Sequence, residues 1–391
     1  MAAPSEDAAR QASDPLSLAL LGVLAVQVAR VLLRQIQVEA VDYGPDGEWY
    51  VAMADMLAKV GVMDPRAFSA GYMHPLWPMV IRLLWIFTGR SFGALRAANL
   101  LFWGCTLGLT YLLARPLLGK RGALLATCLL SFDGLWNYVE LPQYEVFLAM
   151  AMAAALLAWV RAGSARGRGP WAFSGVMWGL AGLVQARVLL IPALLVAAAP
   201  AAEGKARCYR GPMLAALVAL YVMLPYGWRN WVVLGHFSLV PSNSGENLFI
   251  GNNPAANGSY LGIPWELRPA GHNCPDLYVG SAAYRQAACK WIWENPRQFA
   301  LVLAPRKLAN FWDLGKPVNA AFVGLMLAGA AMLWRWQRSP AVEALVVIVF
   351  YFCALHLIFF AVPRFRLPIL PMAHILAAGA VVLYLNTRRS I

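Results

Sequence analysis

Apolar runs of membrane-spanning length recur along the whole chain, and that repetition constrains its fold before any motif is considered. They lie near residues 16–33, 97–114, 121–137, 145–160, 172–186, 188–200, 212–228, 318–334, 341–361 and 367–385. A helix crossing the hydrocarbon core needs roughly 17–25 such residues. The chain is 60% hydrophobic and only 13% charged, whereas soluble domains carry about a quarter charged residues. These features predict an all-α polytopic membrane protein of about ten transmembrane helices. The net charge of +13 does not point to nucleic acid, because the basic residues cluster in short loops, as membrane orientation requires.

The loops fall into two classes. One is basic: Arg115/Lys120/Arg121, Arg161/Arg166/Arg168, Lys205/Arg207/Arg210, Arg335/Arg338 and Arg388/Arg389. The other comprises the acidic loop 34–71, the turns at 138–144 and 186–188, the segment 229–317, and Pro363 to Arg366. Positive charge favours the cytoplasmic side. The two classes alternate only if segment 72–90 does not cross; with Arg82 in its middle and two prolines near its start, it is expected to lie against the membrane. The resulting organisation is a cytoplasmic tail (1–15), an N-terminal transmembrane module (16–228) holding the first outer loop and the juxtamembrane helix, an outer-face region (229–317), C-terminal transmembrane helices (318–386) and a second tail (387–391). The N-terminus is polar and acidic, unlike a signal peptide, so the first apolar segment is expected to be retained.

On this topology the outer face gathers the informative polar residues. Asp42, Asp46 and Glu48 lie in the first loop, His74 opens the surface helix, and Glu145 opens the fourth span after ELPQY. Arg187 sits in a tight turn, Arg229 ends the seventh span, and Arg364 and Arg366 precede the last. Carboxylates beside arginines at one membrane face suggest group transfer from a lipid phosphate. A carboxylate can accept the proton of an attacking hydroxyl, and arginine can grip a phosphate with two hydrogen bonds. Asp42 and Glu39 read as solvated loop charges, and Arg34 and Arg82 as snorkelling residues. His356 and His374 read as packing groups, and no His spacing suggests a metal site. Gly175, Gly179 and Gly182 suggest close helix packing. In the outer region, Asn243, Glu246, Asn247, Asn252 and Asn253 belong to a segment dense in Asn, Gly and Ser, which suits sugar hydroxyls or simply tight turns. Cys274 and Cys289 share this region, and a disulfide between them stays open.

These residues carry a family resemblance over nearly the whole chain. PDGEWY (Pro45 to Tyr50), HPLWP (from His74), YEVFL (from Tyr144), Ala186-Arg187, PYGWRN (Pro225 to Asn230) with NSGENLFIGNNP (Asn243 to Pro254), and RFRLPILP (Arg364 to Pro371) resemble the integral-membrane C-type (GT-C) glycosyltransferases. The specific likeness is to the glycosyltransferase family 39-like bacterial relatives of protein O-mannosyltransferases and lipid A aminoarabinose transferases. The resemblance implies a polyprenyl-phosphate-linked sugar donor and transfer on the periplasmic or extracellular face of the inner membrane. It implies catalytic roles for Asp46, as general base, and for Glu145 and Glu48. His74, Arg187, Arg229, Arg364 and Arg366 would hold the donor phosphate, with no metal or other cofactor. Met73 departs from the pattern, since the aminoarabinose transferases place an acidic residue there; this leaves the acceptor open. The alternative class is a transporter or flippase of a lipid-linked glycan precursor, which would place ionisable groups along a path through the membrane.

Overall fold

The computed structural model describes residues 14–37, 44–198 and 209–389. The loop charges Glu39 and Asp42, the basic residues Lys205 and Arg207, Cys208 and most of the terminal tails lie outside these. Among the described residues every regular element is helical. They are α1 (Pro15–Gln37), α2 (Gly44–Val60), α3 (Leu76–Thr88), α4 (Phe92–Phe132), α5 (Glu145–Ser164), α6 (Gly169–Val184), α7 (Ile191–Ala198), α8 (Arg210–Leu234), α9 (Ser244–Gly251), α10 (Leu277–Glu294), α11 (Ala304–Trp312), α12 (Pro317–Trp336), α13 (Pro340–Ile358) and α14 (Leu370–Arg389).

Among the described residues, seven helices are long and apolar enough to cross a membrane: α1, α4, α5, α8, α12, α13 and the segment Pro363–Arg388, which takes in nearly all of α14. At 41 residues, α4 is about twice the length of one span. It covers 97–114 and 121–132 of the expected 121–137, which the sequence separates, and its one non-helical residue, Gly119 at φ 68°, falls between them; residues 134–138 form a separate 3-10 turn. The helices α6 and α7 fall where two further spans are expected, but each is shorter than the seven. The 13-residue α3 is about 20 Å long, short of the roughly 30 Å hydrocarbon core.

Small residues set the helix spacing. On α6 a methyl group added at Gly175 would lie 2.5 Å from the Ala215 carbonyl oxygen of α8, and one at Gly179 would lie 2.8 Å from that of Ala219. This is the close packing the glycine spacing suggests. On α12, Gly329 meets the backbone of Leu376 in α14 in the same way. The main core runs through α2, α3, α5 and α14, with Trp77, Leu148, Met152 and Leu376 fully buried. Cys274 and Cys289 are free thiols, so the structure holds no bridge between them.

Candidate active site at the helix starts

Two carboxylates open two helices. Asp46 lies in the first turn of α2, and Glu145 is the first residue of α5. Helix N-termini present free N–H groups and a partial positive charge, so local structure favours a carboxylate at both places. Gly44 starts α2 with φ +60°, and a Cβ there would fall 2.3 Å from Gln143 Nε2. The turn before α5 is tied down from outside: Trp77 Nε1 donates to the Pro142 carbonyl at 3.0 Å, and Asn99 Nδ2 to that of Leu141 at 2.9 Å.

Arg364 joins the two carboxylates. It donates from Nη2 to Asp46 Oδ2, its Nε lies 3.6 Å from Glu145 Oε1, and its Nη1 donates to Gln143 Oε1 at 3.3 Å. Glu145 is 1% exposed and Asp46 31%, so one acid is sealed while the other opens to solvent. Neither oxygen of Glu145 has a hydrogen-bond partner, nor has Gln143 Nε2. Buried polar atoms are seldom left this way unless a ligand or water completes them.

A second cation stands nearby. Arg187 donates from Nη2 to the Tyr144 hydroxyl at 2.7 Å and lies 3.1 Å from His356 Nε2. The guanidinium groups of Arg187 and Arg364 both lie against Phe365, 4.4 and 5.6 Å from its ring centre. Arg187 contacts only neutral groups here, whereas Arg364 is committed to acids.

The other sequence candidates lie apart from this cluster or serve it indirectly. His74 is buried and accepts the Ala186 backbone N–H at 3.3 Å. Burial, helped by the charge of Arg187, pushes its pKa down to about 3. A neutral imidazole accepting at this nitrogen offers no charge to a phosphate, and it positions the arginine turn instead. Arg229 donates to the carbonyls of Val62 and Asp64 at 3.0 and 2.6 Å and stacks on Phe68, so it holds the first loop. Arg366 donates to the Trp312 carbonyl. Glu48 is exposed. Glu246 accepts from the Tyr72 hydroxyl at 2.9 Å; burial first, then the charge and hydrogen bond of Glu246, push the Tyr72 pKa up, with a smaller push from Asp46. Asn243 and Asn247 are half-buried at the start of α9.

Asn252 and Asn253 are buried and fully engaged. Asn252 donates to the Leu248 and Ile358 carbonyls and accepts from Lys307 Nζ at 2.8 Å. Asn253 donates to the Phe249 carbonyl and accepts from Ala255. Both amides are used inside the fold, which leaves them unavailable to sugar hydroxyls. Gln143, Tyr144, Phe365 and Lys307 were not singled out by the sequence. Gln143 and Tyr144 stand in the quoted ELPQY and YEVFL stretches, while nothing in sequence separates Lys307 from a surface lysine. Among the described residues no group of three or more His, Cys, Asp or Glu is arranged to hold a metal ion.

Residues 73–228 match the family of dolichyl-phosphate-mannose-protein mannosyltransferases. No curated protein matches the chain in sequence. The fold is shared with the oligosaccharyltransferase of Archaeoglobus fulgidus in its apo form (TM-score 0.61, 14% identity, covering 94% of this chain and 51% of that one). It is shared with ArnT from Cupriavidus metallidurans bound to undecaprenyl phosphate (0.58, 16%, 92% and 60%). A third match is the archaeal oligosaccharyltransferase AglB from Archaeoglobus fulgidus in complex with an inhibitory peptide and a dolichol-phosphate (0.54, 14%, 95% and 52%). The chain thus spans about half to three-fifths of the length of these proteins. The fold is the one these GT-C membrane glycosyltransferases share, and the mannosyltransferase family match covers residues 73–228, both in the direction of the sequence resemblance.

Proposed function

We propose that this chain is a membrane glycosyltransferase that moves a sugar from a polyprenyl-phosphate carrier to an acceptor on the outer, periplasmic face of the inner membrane. The observation that carries the reading is the single guanidinium of Arg364 set between the half-open Asp46 and the sealed Glu145. The structural neighbours ArnT and AglB, which hold undecaprenyl phosphate and dolichol-phosphate, support the class of carrier.

In the step, Asp46 takes the proton of the acceptor hydroxyl as that oxygen bonds to the anomeric carbon. The bond from this carbon to the phosphate oxygen breaks, and its electron pair leaves with the polyprenyl phosphate. The sugar inverts. Arg187 binds the phosphate and Arg364 stabilises its growing charge, as guanidinium groups do for anions in sites sheltered from water. Glu145 holds Arg364 in place, and Arg229, Arg366 and His74 fix the loops around it. Outside the cluster, the buried Glu343 and His374 lie near the starts of α13 and α14 and the partly buried Asp133 caps α4, while the buried Lys307 lies within the short α11. That distribution favours the enzyme over a transporter, whose groups would form a path through the membrane.

The test uses the purified protein with a polyprenyl-phosphate sugar, following release of free polyprenyl phosphate, which a transporter does not produce. Asp46→Asn should lower release by about 10²–10⁴-fold, the usual worth of a general base, with an unchanged thermal midpoint. Near-parental turnover in that variant rejects the assignment.

A further inference from the structure

The start of α9 carries polar groups that the fold has not used. Asn243, Glu246 and Asn247 are three and four positions apart, so they share one face of the helix. That face is turned away from the one on which Gly245 meets the backbone of Ser281 in α10. Among the described residues neither asparagine side chain has a hydrogen-bond partner. Glu246 has one, the Tyr72 hydroxyl, and no cation. Asp46 and Glu145 share Arg364, Asp64 holds Arg66 and Glu140 holds Arg34; Glu246 has a phenol where those acids have a guanidinium.

Tyr260 belongs to the same place. Its side chain is 59% exposed, yet the turn that presents it is fixed. The Ala361 N–H donates to the Gly258 carbonyl at 3.0 Å and the Ser259 N–H to Asn257 Oδ1 at 2.9 Å. The ring packs on Phe360 at 5.3 Å between centres, Phe360 packs on Phe365 at 5.4 Å, and Phe365 carries Arg187 and Arg364. A file of aromatic rings thus leads from the surface to the two arginines. Beyond burial and Glu246, which do most of it, Tyr260 and Asp46 also raise the Tyr72 phenol, so the base, the unpaired acid and the exposed ring are all within electrostatic reach of one hydroxyl. A held, exposed ring beside a carboxylate and two free amides is the makeup of a carbohydrate subsite. The ring covers the apolar face of a sugar, and the acid and amides take its hydroxyls. A lipid alcohol would leave the amides unmet, and among the described residues there is no strand edge to take an extended peptide.

We infer that Tyr260, Glu246, Asn243 and Asn247 bind the acceptor, and that this acceptor is a saccharide. The inference rests on the transfer reading, in which Asp46 takes the acceptor's proton. The acceptor sugar stacks on Tyr260, gives hydroxyl hydrogens to Glu246 and the amides, and turns a further hydroxyl to Asp46. The donor sugar is told apart by its phosphate, which that reading places at Arg187 and Arg364, at the inner end of the aromatic file. Tyr260 stands at the outer end, where a molecule entering from water is met first.

Saturation-transfer NMR on the full chain in nanodiscs tests this, with the methyl glycosides of glucose, galactose and mannose as probes. The chain carries Asp46→Asn, so that added undecaprenyl-phosphate mannose is consumed only slowly. At least one glycoside should bind, and the donor should leave that binding in place. Glu246→Gln, which keeps an acceptor for Tyr72, should weaken it about tenfold, as for the loss of a hydrogen bond to a charged group. Tyr260→Ala should weaken it about fivefold and Tyr260→Phe should retain it, with unchanged thermal midpoints in all three. The same glycoside should raise the release of polyprenyl phosphate by the chain with Asp46 intact. No glycoside binding, binding undiminished in both Glu246→Gln and Tyr260→Ala, or displacement of the glycoside by the donor overturns the inference. So does release raised by a serine- or threonine-containing peptide and by none of the glycosides, which would leave the transfer reading standing. Glycoside binding with no release under any of these conditions removes the transfer reading, and the acceptor role with it.

Discussion

Two buried polar clusters meet the same turn before the last helix, and they are built on opposite terms. Around Lys307 every bond is made: its three ammonium hydrogens meet Asn252 Oδ1 at 2.8 Å, the Ile358 carbonyl at 3.0 Å and the Leu357 carbonyl at 3.3 Å. Around Arg364 bonds are left unmade: Glu145 keeps two buried oxygens without a hydrogen bond, and Gln143 Nε2 finds no acceptor. Both clusters contain a buried cation, so burial alone does not identify the functional one. Saturation does. A cluster with nothing left to bind is framework, and one with unmet polar atoms is shaped for something that arrives.

The largest expected effect breaks the unsaturated cluster. Arg364→Leu strands Glu145 without its cation, which should cost about 3–5 kcal/mol in chemical or thermal unfolding and abolish transfer. Arg364→Lys keeps the charge but loses the fork, so a folded protein with turnover reduced about 10²–10³-fold is expected. Parental stability in Arg364→Leu would erase the distinction between the clusters. Next is Lys307→Met, which leaves three acceptors unmet and should cost about 1.5–3 kcal/mol. Turnover per folded molecule should persist, and a selective loss of turnover would make Lys307 part of the site.

Smaller effects sharpen the same contrast. Gly44→Ala forces a side chain into positive φ and against Gln143. It should cost about 1–2 kcal/mol and lower turnover by displacing the start of α2; unchanged kinetics would detach Gly44 from the site. The smallest is a pH slope. Burial pushes the Lys307 ammonium down to about 7, below its unfolded value near 10.4. Between those values the unfolded chain holds more protons, so stability should rise with pH by at most about 1.4 kcal/mol per unit. The three acceptors favour the charged form and keep the slope under that limit. Below pH 7 the burial penalty is complete. Unfolding from pH 7 to 9 should show this rise in the parent and a flatter line in Lys307→Met; parallel lines would remove the lysine as its source.

Much of this was readable from residue order alone. Charges are rare in apolar sequence, so Asp46, Glu145, Arg187 and Arg364 stood out by contrast, and the structure brings these four to one place. His74 and Arg229 stood out for the same reason yet serve loops, because sequence reveals that a polar group is present and not which partner has already claimed it. Gln143 matters through an approach between segments more than 200 residues apart, the Arg364–Gln143 bond, and Tyr144 and Phe365 through their contacts with the distant Arg187; no local pattern encodes these. The join between the second and third spans was visible as a basic loop, but not that helix would run through it with only Gly119 departing from helical geometry. The asparagines of GNNP look alike on paper to turn-formers and sugar ligands, and only their buried bonds to Lys307 and to nearby carbonyls separate the two uses.

The bond between Arg364 and Asp46 spans 318 positions, and this has a bearing on how the protein is made. The two acids are synthesised and threaded into the bilayer long before the guanidinium that unites them leaves the ribosome. Until the closing hairpin inserts, the nascent chain holds a pair of negative charges at the lipid boundary with no cation between them, a costly arrangement in that setting. Chains that stop short of this hairpin therefore carry the two acids uncompensated, and differ in local charge from completed ones.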